Sequence, residues 1–262
     1  LGINLPEQRP GCGSLSVDPS KSEVLAVRFG DSSFASRRIE FAALEDSHEA
    51  LFDRGWTDGL PVVPPTEDRV LKMLAGTSRS HDEVVAVVPP DLAPCTVEKI
   101  AINAVMAGCR PEYLPIVIAA VEAVCTEQFN MHGLLATTMP HAPVLIINGP
   151  IANQIGMNSG NNALGQGNRA NSTIGRAIQL VIRNVGGGRP GEVDRSTFGS
   201  PAKVGFCFAE REHDSPWPPM STTYGFESGT NTLLAFAGEA PRNLIDQLSR
   251  DPSLWLGHLP PI

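Results

Sequence analysis

The sequence predicts a single α/β or α+β domain, with helices covering a mixed sheet and an extended arm at its N-terminal side. Two observations predict this class. The 262 residues are 42% hydrophobic and 18% charged, which is typical of a globular chain with a sizeable core. The strongest strand-like segments alternate with helix-like ones. Residues 1–40, rich in Gly, Pro, Ser and charge, form the predicted arm, and residues 41–262 form the domain.

The first elements follow from apolar spacing and from capping residues. "EVLAVRFG" has the pattern of a strand within the arm. "EDSHEALFDRG" predicts a helix that ends near Gly55, and Thr66 is a suitable N-cap for a second helix over "EDRVLKMLAG". "EVVAVVPP" predicts a buried strand, because its apolar run is short and rich in valine.

The rest of the chain continues the alternation. "TVEKIAINAVMAGC" and "PEYLPIVIAAVEAVC" predict an apolar helical hairpin, with Pro111 in the first turn of the second helix. "APVLIING" is the clearest strand in the chain. An amphipathic helix is predicted after Asn171, over "STIGRAIQLVIRN", and it ends at three glycines. "AKVGFCFAE" and "NTLLAFAG" predict strands, and "PRNLIDQLSR" predicts a last helix.

Charge and cysteine content exclude several classes of function. The net charge is -8 and the pI is about 5.2, which disfavours binding to nucleic acid or to an anionic membrane. No apolar run is long enough to span a bilayer. Five irregularly spaced cysteines do not match a disulfide framework or a zinc motif, so a reducing, cytoplasmic location is expected. The sequence identifies no cofactor.

The stretch "MNSGNNALGQGNRANSTIGRA", residues 157–177, contains five asparagines and four glycines between a strand and a helix. Glycine lets the backbone approach a ligand, asparagine donates and accepts hydrogen bonds, and a helix N-terminus attracts anions. An anion-binding loop is therefore predicted. The alternative is a structural loop whose asparagines satisfy its own backbone. The candidate substrate-binding residues are Asn158, Ser159, Arg169, Asn171 and Arg176.

Candidate catalytic groups cluster near "VGFCFAEREHD". Cys207 alternates with two phenylalanines on the predicted strand, and it could serve as a nucleophile or redox thiol if a neighbouring group lowered its pKa. His132, in a polar connection, and Glu210 are candidates for proton transfer. The alternative for Cys207 is a buried, inert thiol. No dedicated metal site is predicted, although His132, Glu210 and His213 would be the ligands of a metal-dependent alternative.

A second polar loop, "GGGRPGEVDRSTFGSPAK", joins the amphipathic helix to the Cys207 strand. Arg189 and Asp194 are its candidate substrate-binding residues. The alternative is a set of salt bridges within the loop.

Several long strings resemble a bacterial family associated with small thiol or selenol proteins that carry a Sec-Gly-Ser-Cys motif. They are "GWTDGLPVVPPTEDRV", "TVEKIAINAVMAGCRPEYLPIVIAAVEAV", "NGPIANQIGMNSG", "RANSTIGRAIQLVIRNVGG" and "RPGEVD", between about residues 50 and 215. The motif itself is absent here, and "GCGS" resembles it only superficially. The resemblance implies a partner subunit that supplies redox-capable sulfur or selenium, and it includes Asp58, Cys109, Asn158, Ser159, Arg169, Asn171, Arg176, Asn184, Arg189 and Asp194.

These patterns lead to three hypotheses, in which the thiol chemistry and the thiol or selenol partner are what the resemblance implies. The first is an enzyme, or the substrate-binding subunit of one, that acts on a small anionic organic molecule by thiol-dependent reductive or lyase chemistry. The thiol or selenol partner would then make a hetero-oligomer, and a homo-oligomer is the other expectation. The second hypothesis is a metal-dependent hydratase or hydrolase. The third is a non-catalytic binding or assembly subunit whose active thiol is supplied by the partner.

Overall fold

A computed structural model describes residues 34–39, 46–241, 245, 247, 250 and 251. Its helices and mixed strands confirm the predicted α/β or α+β class. The helices are α1 Ser47–Asp53, α2 Glu67–Leu74, α3 Val97–Ala107, α4 Leu114–Val124, α5 Met131–Ala136, α6 Pro150–Gln154, α7 Arg169–Asn184 and α8 Met220–Thr223. The strands are β1 Val84–Val88, β2 Ala93–Thr96, β3 Ala142–Asn148, β4 Cys207–Ala209 and β5 Thr232–Gly238.

The main sheet has the strand order β4-β3-β5. β3 pairs in parallel with β4, with Leu145 opposite Cys207, and it pairs antiparallel with β5. All seven residues of β3 are buried, as expected for a central strand of apolar residues. The connection from β3 to β4 contains α6, the asparagine-rich loop and α7, so the loop belongs to a parallel crossover.

β1 is present where the sequence predicts a strand, but its predicted burial is wrong. It forms a separate two-stranded antiparallel hairpin with β2, and it is not part of the main sheet. Val84 and Val87 are 54% and 48% exposed, whereas Val88 is fully buried. A run of valines is equally compatible with burial on both faces and with a surface hairpin, so the pattern alone cannot separate the two.

The predicted helical hairpin is confirmed as α3 and α4, joined by a 3₁₀ turn at Pro111–Tyr113. α3 ends at Gly108, whose φ of 87° is left-handed and suits glycine. α3 also packs along α7, and the two helices form much of the buried core together with α4.

α7 crosses the chain just before β4 at very close range. A methyl group added to Gly175 would lie 2.7 Å from Phe206 N, and one added to Gly205 would lie 2.5 Å from Arg176 N. Glycine at both positions therefore allows the two backbones to touch. The strand that follows is shorter than predicted: Pro201–Lys203 is a 3₁₀ turn, and only Cys207–Ala209 forms β4.

Two predicted elements cannot be compared with the structure. The strand predicted for "EVLAVRFG" lies outside the described residues, as does most of the helix predicted for "PRNLIDQLSR". No helix in the described part of the chain is long and apolar enough to cross a membrane.

Candidate functional site

The asparagine-rich loop ends earlier than predicted, because α7 begins at Arg169. Asn168 is the N-cap, and its side-chain oxygen accepts a hydrogen bond from Asn171 N at 3.0 Å. The predicted start after Asn171 is therefore wrong by about one turn. Arg169 is the first residue of the helix, and Asn171 is already inside the first turn.

Asn171 holds the loop closed. Its side chain is buried, its Oδ1 accepts from Asn158 N at 3.1 Å, and its Nδ2 donates to the carbonyls of Asn158 and Ala163 at 2.8 and 3.0 Å. All three of these hydrogen bonds join the Asn171 side chain to the backbone of the loop. A buried amide bonded in this way contributes order to the loop.

The other asparagines of the loop are used in the same way. Asn158 Nδ2 donates to Asn161 O, Asn162 Nδ2 donates to Gln166 O, and Asn168 Nδ2 donates to Gly156 O, all within 2.9 Å. Ser159 is half-buried next to Asn158. These bonds agree with the structural alternative, in which the asparagines satisfy the backbone of their own loop.

Arg169 and Arg176, the two candidate arginines of α7, bind other parts of the chain. Arg169 Nε donates to Gly108 O at 2.9 Å. Arg176 forms a bidentate pair with Asp58, with N–O distances of 2.8 and 2.7 Å, and it also donates to the carbonyls of Leu60 and Pro61. Both partners of this pair are largely buried, with side chains 15% and 13% exposed. Burial alone raises the pKa of Asp58, but the bonds from Arg176 outweigh it and lower the pKa below its usual value.

The C-terminal half of α7 binds Gly55 and Trp56, which lie just before Asp58 in the chain. Arg183 Nε donates to Gly55 O at 3.2 Å, and Asn184 Nδ2 donates to Trp56 O at 3.0 Å. Together with Arg176, these side chains fix residues 55–61 along α7. This anchoring fixes the backbone at Trp56.

A groove with a volume of about 820 Å³ lies beside Trp56, which forms part of its lining. Its walls are residues 34–39, α1, the start of α2 and one side of α3. The volume is in the range of small-molecule sites. The apolar side chains that line it are Phe34, Ile39, Leu51, Trp56, Val70 and Ile102, and the basic ones are Arg37, Arg38, Arg69 and His48.

The arginines of the groove are held by neighbouring groups. The Arg37 guanidinium lies 5.6 Å from the centroid of the Trp56 ring, which is a cation–π distance. Arg38 pairs with Glu67 at 3.2 Å on the surface, and Arg69 donates to Pro64 O at 2.8 Å. The arrangement places the guanidinium groups beside the apolar side chains of the groove. This combination suits an organic anion, whose charge and apolar body can both make contacts.

None of these groove residues was predicted as a site residue from the sequence. The available signal was the string "GWTDGLPVVPPTEDRV", which supplies Trp56, Arg69 and Val70, and the start of "TVEKIAINAVMAGC", which supplies Glu98 and Ile102. Residues 34–39 lie outside both strings, and the fold brings Arg37 and Arg38 to the same place.

Cys207 lies on β4, close under α7, and is 4% exposed. Burial, together with the neighbouring Cys109 thiol, raises the pKa of Cys207 well above its usual range. Cys109 donates to Thr173 O at 3.3 Å, and burial raises its pKa to about 12. Both thiols are therefore neutral at pH 7, and a neutral thiol is a poor nucleophile.

Alkylation with iodoacetamide at pH 7.5 is expected to leave Cys207 and Cys109 unmodified in the folded protein. Their labelling should be at least about a hundredfold slower than in the guanidinium-unfolded chain, because the thiolate fraction falls tenfold for each unit of pKa. Cys125 is only partly buried, and its pKa is raised less, to about 11, so it is the internal comparison. Labelling of Cys207 as fast as that of Cys125, measured by peptide mass spectrometry, would contradict this expectation.

Glu210 lies where the carboxyl ends of β3 and β4 meet. It accepts hydrogen bonds from the buried Asn148 side chain and from Met220 N. Glu212 accepts from the same Asn148 amide at 3.0 Å and from Gly149 N at 2.6 Å. These contacts fix the loop after β4 against the end of β3.

The candidate catalytic residues are not brought into contact. His132 was predicted in a polar connection, but it lies on α5 and its side chain is exposed. No hydrogen bond or ion pair joins Cys207, His132 and Glu210, all of which the structure describes. His213 is 61% exposed and pairs with Asp214. Within the described residues, no group of three or more His, Cys, Asp or Glu side chains is arranged to hold a metal ion.

The two candidate substrate-binding residues in the loop after α7, Arg189 and Asp194, have different contacts. Asp194 accepts from Lys203 Nζ at 2.9 Å with both carboxylate oxygens, so the predicted alternative of a salt bridge within the loop describes it. Arg189 is half-buried, and its Nε has no hydrogen-bond partner among the described residues. The groove near Trp56 contains neither residue.

The chain was compared with protein-family models, with curated proteins and with solved structures. No family model, no curated protein and no solved structure matches it.

Proposed function

We propose that this chain binds a small anionic organic molecule in the groove beside Trp56, as an enzyme or as the substrate-binding subunit of one. The observation that carries the proposal is the groove itself: about 820 Å³, with Arg37, Arg38 and Arg69 beside an apolar floor. Glu67 and Glu98 also line it, so basic groups outnumber acidic ones. An anion with an apolar body matches this lining better than a neutral or cationic molecule does.

The proposed chemistry is reductive or lyase chemistry with the thiol or selenol of a partner protein. The burial and neutral state of Cys207 and Cys109 favour a thiol supplied by the partner over one supplied by this chain. Arg176, Arg183 and Asn184 then hold the segment that carries Trp56. A cytoplasmic location is part of the proposal, because the four described cysteines are free thiols.

The binding of 8-anilinonaphthalene-1-sulfonate tests the proposal, because this fluorescent probe joins an apolar body to a sulfonate. N-phenyl-1-naphthylamine, which has the same body without the charge, is the matched neutral probe. The charged probe is expected to bind at least about tenfold more tightly, since a charge-assisted hydrogen bond contributes roughly 1.5–3 kcal/mol. The substitution Arg37→Met keeps an apolar stem beside Trp56 and should reduce this preference, since Arg38 and Arg69 remain in the groove.

The control variant is Arg110→Met, because Arg110 is an exposed arginine outside the groove lining. It should bind both probes like the wild type. Equal affinity of the wild type for the two probes, or an unchanged preference in Arg37→Met, would overturn the proposal.

A further inference from the structure

The wall of the groove formed by residues 34–39 is attached to the body of the protein by one buried carboxylate. Glu98, in the first turn of α3, is 2% exposed. Its Oε2 accepts a hydrogen bond from Ala35 N at 3.2 Å, and its Oε1 accepts one from Ser36 N at 3.0 Å. Each oxygen therefore holds a different backbone amide, more than sixty residues away in sequence.

Weaker contacts surround this attachment. The Phe34 ring meets the His81 ring edge-on, with centroids 6.1 Å apart, and His81 Nδ1 lies 3.7 Å from Glu98 Oε2. On the other side, Arg38 reaches Glu67 only through an exposed ion pair, which is a weak contact. The two bonds from Ala35 N and Ser36 N go to a buried, charged acceptor, and such charge-assisted bonds are stronger than neutral ones.

Arg37 and Arg38 directly follow the two amides that Glu98 binds. Fixing the backbone at Ala35 and Ser36 limits where the next two side chains can lie. We propose that Glu98 is a positioning residue: by holding residues 34–39 it places Arg37 and Arg38 in the groove, so that anion binding and docking of this segment are coupled. The coupling rests on the proposed function, whereas the attachment by Glu98 does not.

Coupling of this kind is reciprocal. An anion held by Arg37 and Arg38 stabilises the docked segment, and loss of docking lowers the apparent affinity in proportion to the fraction of molecules that remain docked. A residue that served stability alone would change the global unfolding of the protein without changing the local opening of residues 34–39.

Hydrogen exchange at the amides of Ala35 and Ser36, followed by NMR, measures docking directly. The substitution Glu98→Gln leaves one oxygen and puts an NH₂ group opposite the second amide, so exchange at both amides should accelerate about tenfold or more. Exchange in β3 and α7 should stay as in the wild type. Affinity for 8-anilinonaphthalene-1-sulfonate should fall severalfold, and adding this probe to the wild type should slow exchange at both amides.

The variant Glu98→Asp keeps the carboxylate but withdraws it by one methylene. Its exchange and its affinity should lie between those of the wild type and Glu98→Gln, and it replaces the glutamine variant if that one does not fold. Arg37→Met should weaken probe binding while leaving exchange at Ala35 and Ser36 of the free protein unchanged.

Exchange at Ala35 and Ser36 that is no faster in either Glu98 variant would overturn the positioning role. Faster exchange with unchanged probe affinity would overturn the coupling and leave the proposed function standing. If the wild type does not bind the charged probe preferentially, the proposed function fails and the coupling fails with it, and the exchange data still decide whether Glu98 holds the segment.

Discussion

Replacing Asp58 with alanine is expected to lower the free energy of unfolding by about 3 kcal/mol, because it leaves the Arg176 guanidinium without its anion in a largely buried site. Arg176 would keep its bonds to the carbonyls of Leu60 and Pro61, but these neutral acceptors do not replace a charge. Since the pair fixes residues 55–61 along α7, the loss should also loosen Trp56. Urea unfolding at pH 7 measures the free energy, and tryptophan fluorescence reports on the ring.

The matched control is Glu112→Ala, which removes one partner of a surface ion pair. Arg110 and Glu112 are 3.7 Å apart and much more exposed than Arg176 and Asp58. Exposed pairs of this kind contribute little, so this variant should unfold like the wild type. A loss at Asp58 no larger than the loss at Glu112 would show that the bidentate pair does not stabilise the fold.

The same pair gives a pH dependence with a defined sign. The pKa of Asp58 is lower in the folded chain than its usual value, so its contribution to stability is complete above about pH 4, the ordinary pKa of an aspartate. The contribution is lost as the pH falls below that value and through the lowered pKa. The difference in stability between the wild type and Asp58→Asn should therefore be largest near neutrality and shrink in acid.

Gly175→Ala is expected to destabilise the fold by about 2 kcal/mol, although alanine is the better helix former by about 1 kcal/mol. The new methyl group would lie 2.7 Å from Phe206 N and 3.2 Å from Cys207 N. These atoms belong to the backbone that enters β4, so they cannot move aside as a side chain can. Overpacking of this kind usually costs more than helix propensity returns.

Gly160→Ala makes the same chemical change where there is room for it. The nearest atom to its new methyl group would be Asn158 Oδ1 at 3.5 Å, an ordinary contact distance. Its free energy of unfolding should stay within about 0.5 kcal/mol of the wild type. A Gly175→Ala variant as stable as Gly160→Ala would contradict the direct contact between α7 and the chain before β4.

The sequence patterns predicted β3 and α7 because residues within each element determine its type. The apolar run of β3 and the spacing of α7 gave the right type of structure, since burial on both faces and a wide apolar stripe leave clear signatures. The start of α7 was misplaced because Asn168, Asn171 and Ser172 are all good N-caps. The bond from Asn171 N to the Asn168 side chain and the bond from Ser172 N to Asn168 O distinguish them.

The candidate site depended on contacts that no local pattern contains. Cys207 and Glu210 are residue types that can react. Packing against α7 buries Cys207, and a hydrogen bond from Asn148 holds Glu210. The groove is formed by residues 34–39 against α1, α2 and α3, and Glu98 joins them across more than sixty residues. A single sequence does not show which distant segments pack together.

The order of the strands has a consequence for synthesis of the chain. β3 ends at Asn148, yet both strands that pair with it, β4 from Cys207 and β5 from Thr232, are translated later. At about 5–20 residues per second, β3 waits for several seconds with both of its edges unpaired. Such an apolar strand is prone to pair with other nascent chains. β3, whose seven residues are all buried in the finished protein, is therefore a strand that needs protection on the ribosome.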